Sequence, residues 1–301
     1  MSARAEKRPV AVTPALLPRW PLLQPDKDDD KRDRGVAMVV GGSAEVPGAL
    51  ILAGVAALRA GAGKLQVAAP RSTATAIGVA LPEARVFPLP ETGDGFLDKK
   101  AGSRAVECSK RADVVLIGPG MLDENAIGSF VEAVLPHFAD KPFVIDAMAL
   151  SALRRPHSSF GESSHVVLTP NIGEMAKITG ETTQRIEKDP RAIAQDVARE
   201  LNAIVALKGA ETYIATPDAE AFRYSEGDVG LATSGSGDVL AGILVGLLAR
   251  GATLDQAAVW AVYLHGAAGT RLKRRVGPLG FLARELIDEI APLMNSYSAR
   301  H

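Results

Sequence analysis

Little in this sequence supports a disulfide, a zinc cluster or a route out of the cell. Cys108 is the single cysteine among 301 residues, which excludes an internal disulfide and any Cys-based zinc site. Its surroundings, Val106-Glu107-Cys108-Ser109-Lys110, contain no histidine, so the thiol reads as structural rather than nucleophilic. Aromatic residues make up only 5% of the chain while glycines number 29. That mixture suits closely packed helices and tight strand-to-helix turns, not an all-β sandwich. A formal net charge of −1 supplies no field that would draw the protein to nucleic acid or anionic lipid. No run approaches the ~20 apolar residues needed to span a bilayer. No apolar core follows Arg4, Lys7 and Arg8, as a secretory signal requires. The expected location is the cytoplasm, with no membrane or nucleic-acid partner.

What is present is a long alternation of apolar runs and turn signals. Residues 1–24, with Pro9, Pro14, Pro18 and Pro21, are expected to form a tail or strap. The mixed charges of residues 26–34 read as a solvated connector, in which Lys31, Arg32 and Arg34 are the candidates for a phosphate contact. From Val36 the pattern changes. Val36-Ala37-Met38-Val39-Val40 is a short, continuous apolar run ending in Gly41-Gly42-Ser43, as expected of a parallel strand buried on both faces. A helix is predicted over 48–60 and further strands over 65–69, 113–117, 143–146, 166–168 and 203–207. Helices at 123–136, 147–153, 172–178 and 189–201 separate them, and segments 212–216 and 221–224 are predicted to pair as a hairpin at the sheet edge. Three helices, 238–250, 254–275 and 281–290, complete the chain. The pattern predicts an α/β fold: a mostly parallel central sheet with helices on both faces.

In such a sheet ligands bind beyond the carboxyl ends of the strands. The candidates are therefore Gly41-Gly42-Ser43, Gly118-Pro119-Gly120, Asp146, Thr169-Pro170-Asn171 through Glu174, and Lys208-Gly209. The loop Ala232-Thr233-Ser234-Gly235-Ser236-Gly237-Asp238 carries the most information. Its glycines let backbone amides converge, and the helix behind it adds a positive N-terminal end. Gly235, Ser236 and Gly237 thus form a candidate anion hole for a transferring phosphoryl group. Gly237 is expected to hold a positive φ. Asp238, at the helix start, is placed to take a proton from an attacking hydroxyl, the alternative role being a simple helix cap. His265 reads as a buried, satisfied helix histidine, and Asp146 is divided between a turn cap and a site residue.

Taken in order, these stretches resemble one family. Pro47-Gly48-Ala49 with Leu58 to Gly63, Ile117 to Gly120, Val144 to Ala147, Leu168 to Glu174, Leu207 to Gly209, Gly230 to Gly242 and Tyr263-Leu264-His265-Gly266 are together similar to the ADP-dependent NAD(P)H-hydrate dehydratases, a branch of the ribokinase-like superfamily. The resemblance covers roughly residues 13–292. It implies a three-layer ribokinase-like fold with a single such domain over 25–296. The implied enzyme is a hydro-lyase that restores NADH or NADPH from the S-epimer of its hydrate. ADP, or ATP in some relatives, phosphorylates the ring hydroxyl, and AMP and phosphate leave. By motif position the resemblance implies hydrate binding by Ala49, Gly120, Asn171 and Asp238. It implies nucleotide binding by Lys208, Gly209, Ala210, Glu211, Thr212 and Gly237, and Mg²⁺ near Glu174 through water. A separate hydrate epimerase and a homo-oligomer, expected to be a tetramer, complete the implied partners.

Three positions depart from the family pattern. Asn171 stands where His is usual, Met148 where Asp or Gly is common, and Ser234 replaces the first glycine of the loop. Asn171-Ile172-Gly173-Glu174 also spells the Asn-x-x-Glu of sugar and vitamin kinases. A small-molecule kinase of the same fold is therefore the alternative, and a nucleotide-binding regulator without turnover is a third reading.

Overall fold

A computed structural model describes residues 8–24, 26, 28, 30–138, 140–153, 160 and 165–297. Residues 1–7 of the expected tail, including Arg4 and Lys7, and Lys27 of the connector lie outside the described residues. Among the described residues ten strands form one sheet. They are β1 (Val10–Ala11), β2 (Val36–Val40), β3 (Lys64–Pro70), β4 (Ala84–Leu89), β5 (Val114–Ile117), β6 (Phe143–Ile145), β7 (Val166–Leu168), β8 (Ile204–Leu207), β9 (Thr212–Ala215) and β10 (Ala221–Tyr224). Their order across the sheet is β1-β10-β9-β8-β7-β6-β5-β2-β3-β4. Every neighbouring pair from β8 to β4 is parallel, while β9 runs antiparallel to both β8 and β10.

Among the described residues ten α-helices cover the two faces: α1 (Gly48–Arg59), α2 (Arg71–Ala80), α3 (Lys99–Ser109), α4 (Glu124–Val134), α5 (Ile172–Thr179), α6 (Thr183–Lys188), α7 (Pro190–Leu201), α8 (Ser236–Ala249), α9 (Leu254–Arg275) and α10 (Ala283–Tyr297). α1, α2 and α8 to α10 enclose one core, and α3 to α7 enclose the other. Strand residues divide by parity, with Ala37 and Val39 of β2 in the first core and Met38 and Val40 in the second. That double burial is why these strands read as unbroken apolar runs.

The structure adds elements that the pattern did not predict: α2, β4, α3 and α6. β4 carries Arg85 and Pro88, tolerated because it is an edge strand where a missing amide breaks no central ladder. The inward stripe of α3 is Ala101, Ala105 and Cys108, too small to register against its charged face. The predicted helix at 147–153 is a 3₁₀ helix, Ala147–Ala152, whose first residue has φ +53, a strained value for alanine. The hairpin forms as expected, but the edge position beyond it belongs to β1. Behind β1, Leu17 is fully buried and Trp20 stacks on Phe222 with ring centroids 6.0 Å apart. The Trp20 carbonyl accepts from Trp260 Nε1 at 2.9 Å, which holds this segment across α9. No helix among the described residues is long and apolar enough to cross a membrane.

α8 is the central helix of its layer, buried on nearly every side and packed directly on α1. The contact needs glycine: a methyl at Gly242 or Gly246 would lie 2.3 Å from the carbonyl oxygen of Ala53 or Ala57. Gly246→Val is expected to cost about 3 kcal/mol, the upper range for overpacking, visible as a fall of several degrees in Tm. An unchanged Tm would show that the two helices separate freely.

Candidate active site

β6, β7 and β8 lie side by side, so the loops beyond their carboxyl ends converge. Asp146 follows β6, Thr169 and Asn171 follow β7, and Lys208 follows β8. A parallel bridge joins Asn171 to Lys208, and the Lys208 amide donates to the Pro170 carbonyl at 2.8 Å. These bonds lock the two loop starts together. Lys208 Nζ then reaches Asp146 Oδ1 at 3.1 Å and stands 3.9 Å from Glu174 Oε2. Asp146 is only 1% exposed, but it also accepts from Thr169 Oγ1 at 2.6 Å, so its charge is paired and hydrogen-bonded as burial demands.

Asn171 and Glu174 form a reciprocal cap at the start of α5. The Asn171 side chain accepts from the Glu174 amide at 2.9 Å, and the Glu174 carboxylate accepts from the Asn171 amide at 2.7 Å. The side-chain oxygen of Asn171 is thus committed to the helix. Asn171→Ala is expected to cost ~1 kcal/mol of stability, read from chemical denaturation, whatever it does to turnover. No loss would mean that the cap does not form in solution.

Facing this cluster, α8 begins behind Gly235. Gly235 holds φ +86, and a methyl there would lie 2.5 Å from Leu52 Cδ1. The positive φ expected of Gly237 therefore belongs to Gly235, because the chain reverses before the helix starts at Ser236. Gly237 lies inside the first turn. Its vacant β position is 3.4 Å from Lys208 Nζ and 3.9 Å from Asp146 Oδ2, so a larger residue would press on that pair. First-turn amides have no partners within their own helix, and the macrodipole makes this end positive. Ser236 Oγ pairs with His265 Nε2 of α9 at 2.9 Å.

Asp238, in the same turn, is held in an acidic neighbourhood. Burial pushes its carboxyl up to about 7; Asp146 and Glu174 push the same way, and Lys208 opposes them. Glu174 is raised too, chiefly by burial and against the pull of Lys208. Burial alone would weaken the hold of Lys208 on its proton, but Asp146 and Glu174 more than offset it and the ammonium persists. Burial, aided by Lys208, pulls His265 down to about 4, so the imidazole is neutral near pH 7. Asp238 thus exchanges a proton near neutrality, beside a cation and a helix N-terminus. Chemically, that serves deprotonation of a hydroxyl next to a phosphoryl group.

These groups line a cavity of about 790 Å³, within the usual range for small-molecule sites. Asp146, Asn171, Glu174, Lys208 and Asp238 form its polar end. Val229, Leu231, Leu240 and Val262 form an apolar wall. Tyr224 also lines it, with a buried hydroxyl that has no hydrogen-bond partner among the described residues. Gly209, Ala210, Thr212, Gly235, Ser236 and Gly237 lie in the same wall. Ala49, Gly120 and Glu211 do not. Ala49 is buried against Gly120, where an added methyl would come within 3.0 Å of its Cβ. Glu211 turns away to Tyr213 and Arg223. Lys31, Arg32 and Arg34 are exposed ahead of β2 and take no part in the wall.

Sequence reasoning missed Tyr224 and the apolar wall, because nothing local marks the end of a hairpin strand or one side of a buried helix as facing a ligand. His265, expected to be a satisfied histidine, has its partner in Ser236 and also lines the cavity. No three His, Cys, Asp or Glu side chains converge as a metal cage among the described residues. Glu174 nevertheless presents a carboxylate at the polar end, which suits Mg²⁺ held mainly by phosphate oxygens and water.

Comparison with known proteins gives the site its context. A family model described as NAD(P)H-hydrate dehydratase matches residues 37–292. An ADP-dependent (S)-NAD(P)H-hydrate dehydratase of Xanthomonas campestris pv. campestris is 43% identical over 286 residues, 94% of this chain and 96% of its own. The ADP/ATP-dependent NAD(P)H-hydrate dehydratase of Bacillus subtilis, co-crystallized with ATP/Mg²⁺, superposes with a TM-score of 0.80 at 29% identity, over 92% of this chain and 95% of that one. A ribokinase-like superfamily protein of Enterococcus faecalis superposes with a TM-score of 0.82 at 26% identity, over 97% of each chain. The chain spans about half the length of the bifunctional NAD(P)H-hydrate repair enzymes that it also matches. The fold is therefore ribokinase-like, as the sequence implied. Since the family match, over residues 37–292, takes in every strand end that builds the polar cluster, the chain belongs to the NAD(P)H-hydrate dehydratase family.

Proposed function

We propose that this protein dehydrates the S-epimers of hydrated NADH and NADPH, consuming ADP or ATP and restoring the reduced coenzyme. The observation that carries this reading is Asp238, half-buried in the first turn of α8 with its carboxyl pushed up to about 7. The ring hydroxyl of the hydrate gives its proton to Asp238 as its oxygen attacks the terminal phosphorus of ADP. The bond from that phosphorus to AMP breaks. Amides at Gly235 and Gly237 face the charge that develops on the transferring group, whereas that of Ser236, expected in the same hole, donates to the Thr233 carbonyl at 3.2 Å. The new phosphate ester then departs. Electrons from the ring nitrogen expel phosphate, and loss of a neighbouring C–H proton restores the double bond. Phosphate leaves far more readily than hydroxide, so little acid assistance is needed.

Lys208, Gly209, Ala210, Thr212 and Gly237 hold the nucleotide, with Glu211 behind them. Asn171 and Asp238 meet the hydrate inside the cavity, and Ala49 and Gly120 shape the side toward α1. Glu174 would hold Mg²⁺ through water, and the ion would supply neutralisation of phosphate charge. We further propose that the protein acts in the cytoplasm as a homo-oligomer, a tetramer, beside a separate epimerase that supplies the S-epimer.

Incubation with hydrated NADH and either ADP or ATP tests the reading. Absorbance of the reduced nicotinamide is expected to return, with AMP and phosphate formed from ADP. A phosphorylated product that accumulates without that return would instead describe a kinase. Because Asn171 serves as the α5 cap, it is expected to act only by hydrogen bonding, and Asn171→His should be no faster. A several-fold gain in turnover would show that the site lacks a proton carrier there.

A further inference from the structure

Away from the active site, a second cavity of about 290 Å³ opens between α3 and the outer strands β3 and β4. Strand register pairs Gln66 with Arg85 and Ala68 with Phe87, so Gln66, Arg85 and Phe87 share the face that α3 covers. Gln66 is 8% exposed, and its Oε1 has no hydrogen-bond partner among the described residues. A buried amide oxygen without a partner is costly and calls for an explanation. Here it lines an open cavity.

Four exposed cations surround it: Arg85, Arg104, Lys110 and Arg111. The single acid, Glu107, is engaged by Arg104 Nη1 at 2.6 Å. The Arg85 guanidinium stands 4.7 Å from the Phe87 ring centroid, which steadies it at the opening. Carbonyls at the end of α3 would repel an anion. Lys141 Nζ takes those of Ser109 and Ala112, at 3.1 and 3.0 Å.

We infer that this cavity binds a small phosphorylated metabolite that also carries a hydroxyl or amino hydrogen. The phosphate sits among Arg85, Arg104, Lys110 and Arg111, and the hydrogen donor reaches Gln66 Oε1. Cations alone would accept any anion; the unpaired acceptor between them selects a ligand that offers both groups. The volume lies at the lower limit for small-molecule sites, which restricts the ligand to about the size of a sugar phosphate. None of these residues lines the active-site cavity, so the inference stands or falls apart from the dehydratase reading.

Cys108 lines the same cavity and is the only cysteine of the chain, so its alkylation reports on this place alone. The rate of reaction with iodoacetamide at alkaline pH is measured in glycerol 3-phosphate, inorganic phosphate, sulfate and glycerol, at matched ionic strength. Glycerol 3-phosphate is expected to protect saturably, inorganic phosphate to bind roughly 10-fold more weakly, and sulfate and glycerol to protect little. Arg85→Gln with Arg104→Gln should abolish protection. Gln66→Leu should reduce glycerol 3-phosphate to the affinity of inorganic phosphate. These side chains lie outside the active site, so retained turnover certifies folding in each variant. The inference is overturned by equal protection from sulfate, which marks a nonspecific anion site, or by protection that survives the double arginine variant. A native thiol that does not react at all would overturn it too, because the cavity would then be closed, as by a second copy of the chain.

Discussion

Asp238→Asn is expected to reduce turnover on hydrated NADH by at least ~10²–10⁴-fold, while ADP binds within a few-fold of its wild-type affinity. The amide keeps the shape of the carboxyl and cannot accept the hydroxyl proton. In the wild type the proton leaves near 7, so kcat/KM should rise with pH through about that value and level off above it. The variant should lose that rise along with the rate. Its stability should move the other way. Asp238 binds its proton more tightly in the folded protein, about 7, than at the ordinary value of 3.8. The stability gained from holding that proton is complete below about pH 4 and is lost as pH rises through about 7. Asn carries no charge to bury. The variant should therefore melt roughly 2–8 °C above the wild type at about pH 8 and converge with it only below about pH 4. Loss of activity joined to a gain in stability separates a buried base from a helix cap, whose removal would destabilise. Turnover near the wild-type level would exclude Asp238 as the base.

Lys208→Ala should have the largest effect on stability. It leaves Asp146, 1% exposed, with the Thr169 hydroxyl but without its cation. Stranding one member of a buried pair costs about 3–5 kcal/mol, and the lower end applies because the lysine side chain is 21% exposed. Adding Asp146→Asn should recover most of the loss, since the buried charge goes with its partner. Lys208 also opposes the rise of Asp238 and Glu174. Without it both carboxyls hold their protons more firmly, and the rise in residual kcat/KM should move above pH 7. A purely structural lysine would cost stability and leave the pH profile in place. A profile shifted to lower pH would contradict the electrostatic assignment.

Much of the fold was legible because burial on both faces writes itself into single strands. β2, β5, β6, β7 and β8 are short runs of Val, Ile, Leu, Ala, Met and Phe that end in turn residues. The segment from 71 to 109 was silent for the opposite reason. β4 alternates buried with exposed residues at the sheet edge and includes a proline, and α3 packs through alanine and cysteine. Likewise the polar residues of the site follow strand ends, and strand ends can be listed from sequence. The apolar wall cannot be, because Leu240 and Val262 differ from their buried neighbours in α8 and α9 only in what they face.

Composition and the order of motifs were enough to set the fold class, the strand-end positions of Asp146, Asn171 and Lys208, and the glycine loop ahead of Asp238. These are properties of short stretches, governed by burial and by backbone freedom over a few residues. The protonation of Asp238 was not among them. An aspartate at a helix start is an ordinary acid in isolation. Its carboxyl reaches about 7 because folding removes it from water and sets Asp146 and Glu174 beside it, from loops 92 and 64 residues away in the chain. The same separation hid the move of the positive φ from Gly237 to Gly235, since only the packing of α8 against α1 decides where the helix starts. Charge interactions depend on distance in space and on surrounding dielectric, and neither is a property of sequence spacing.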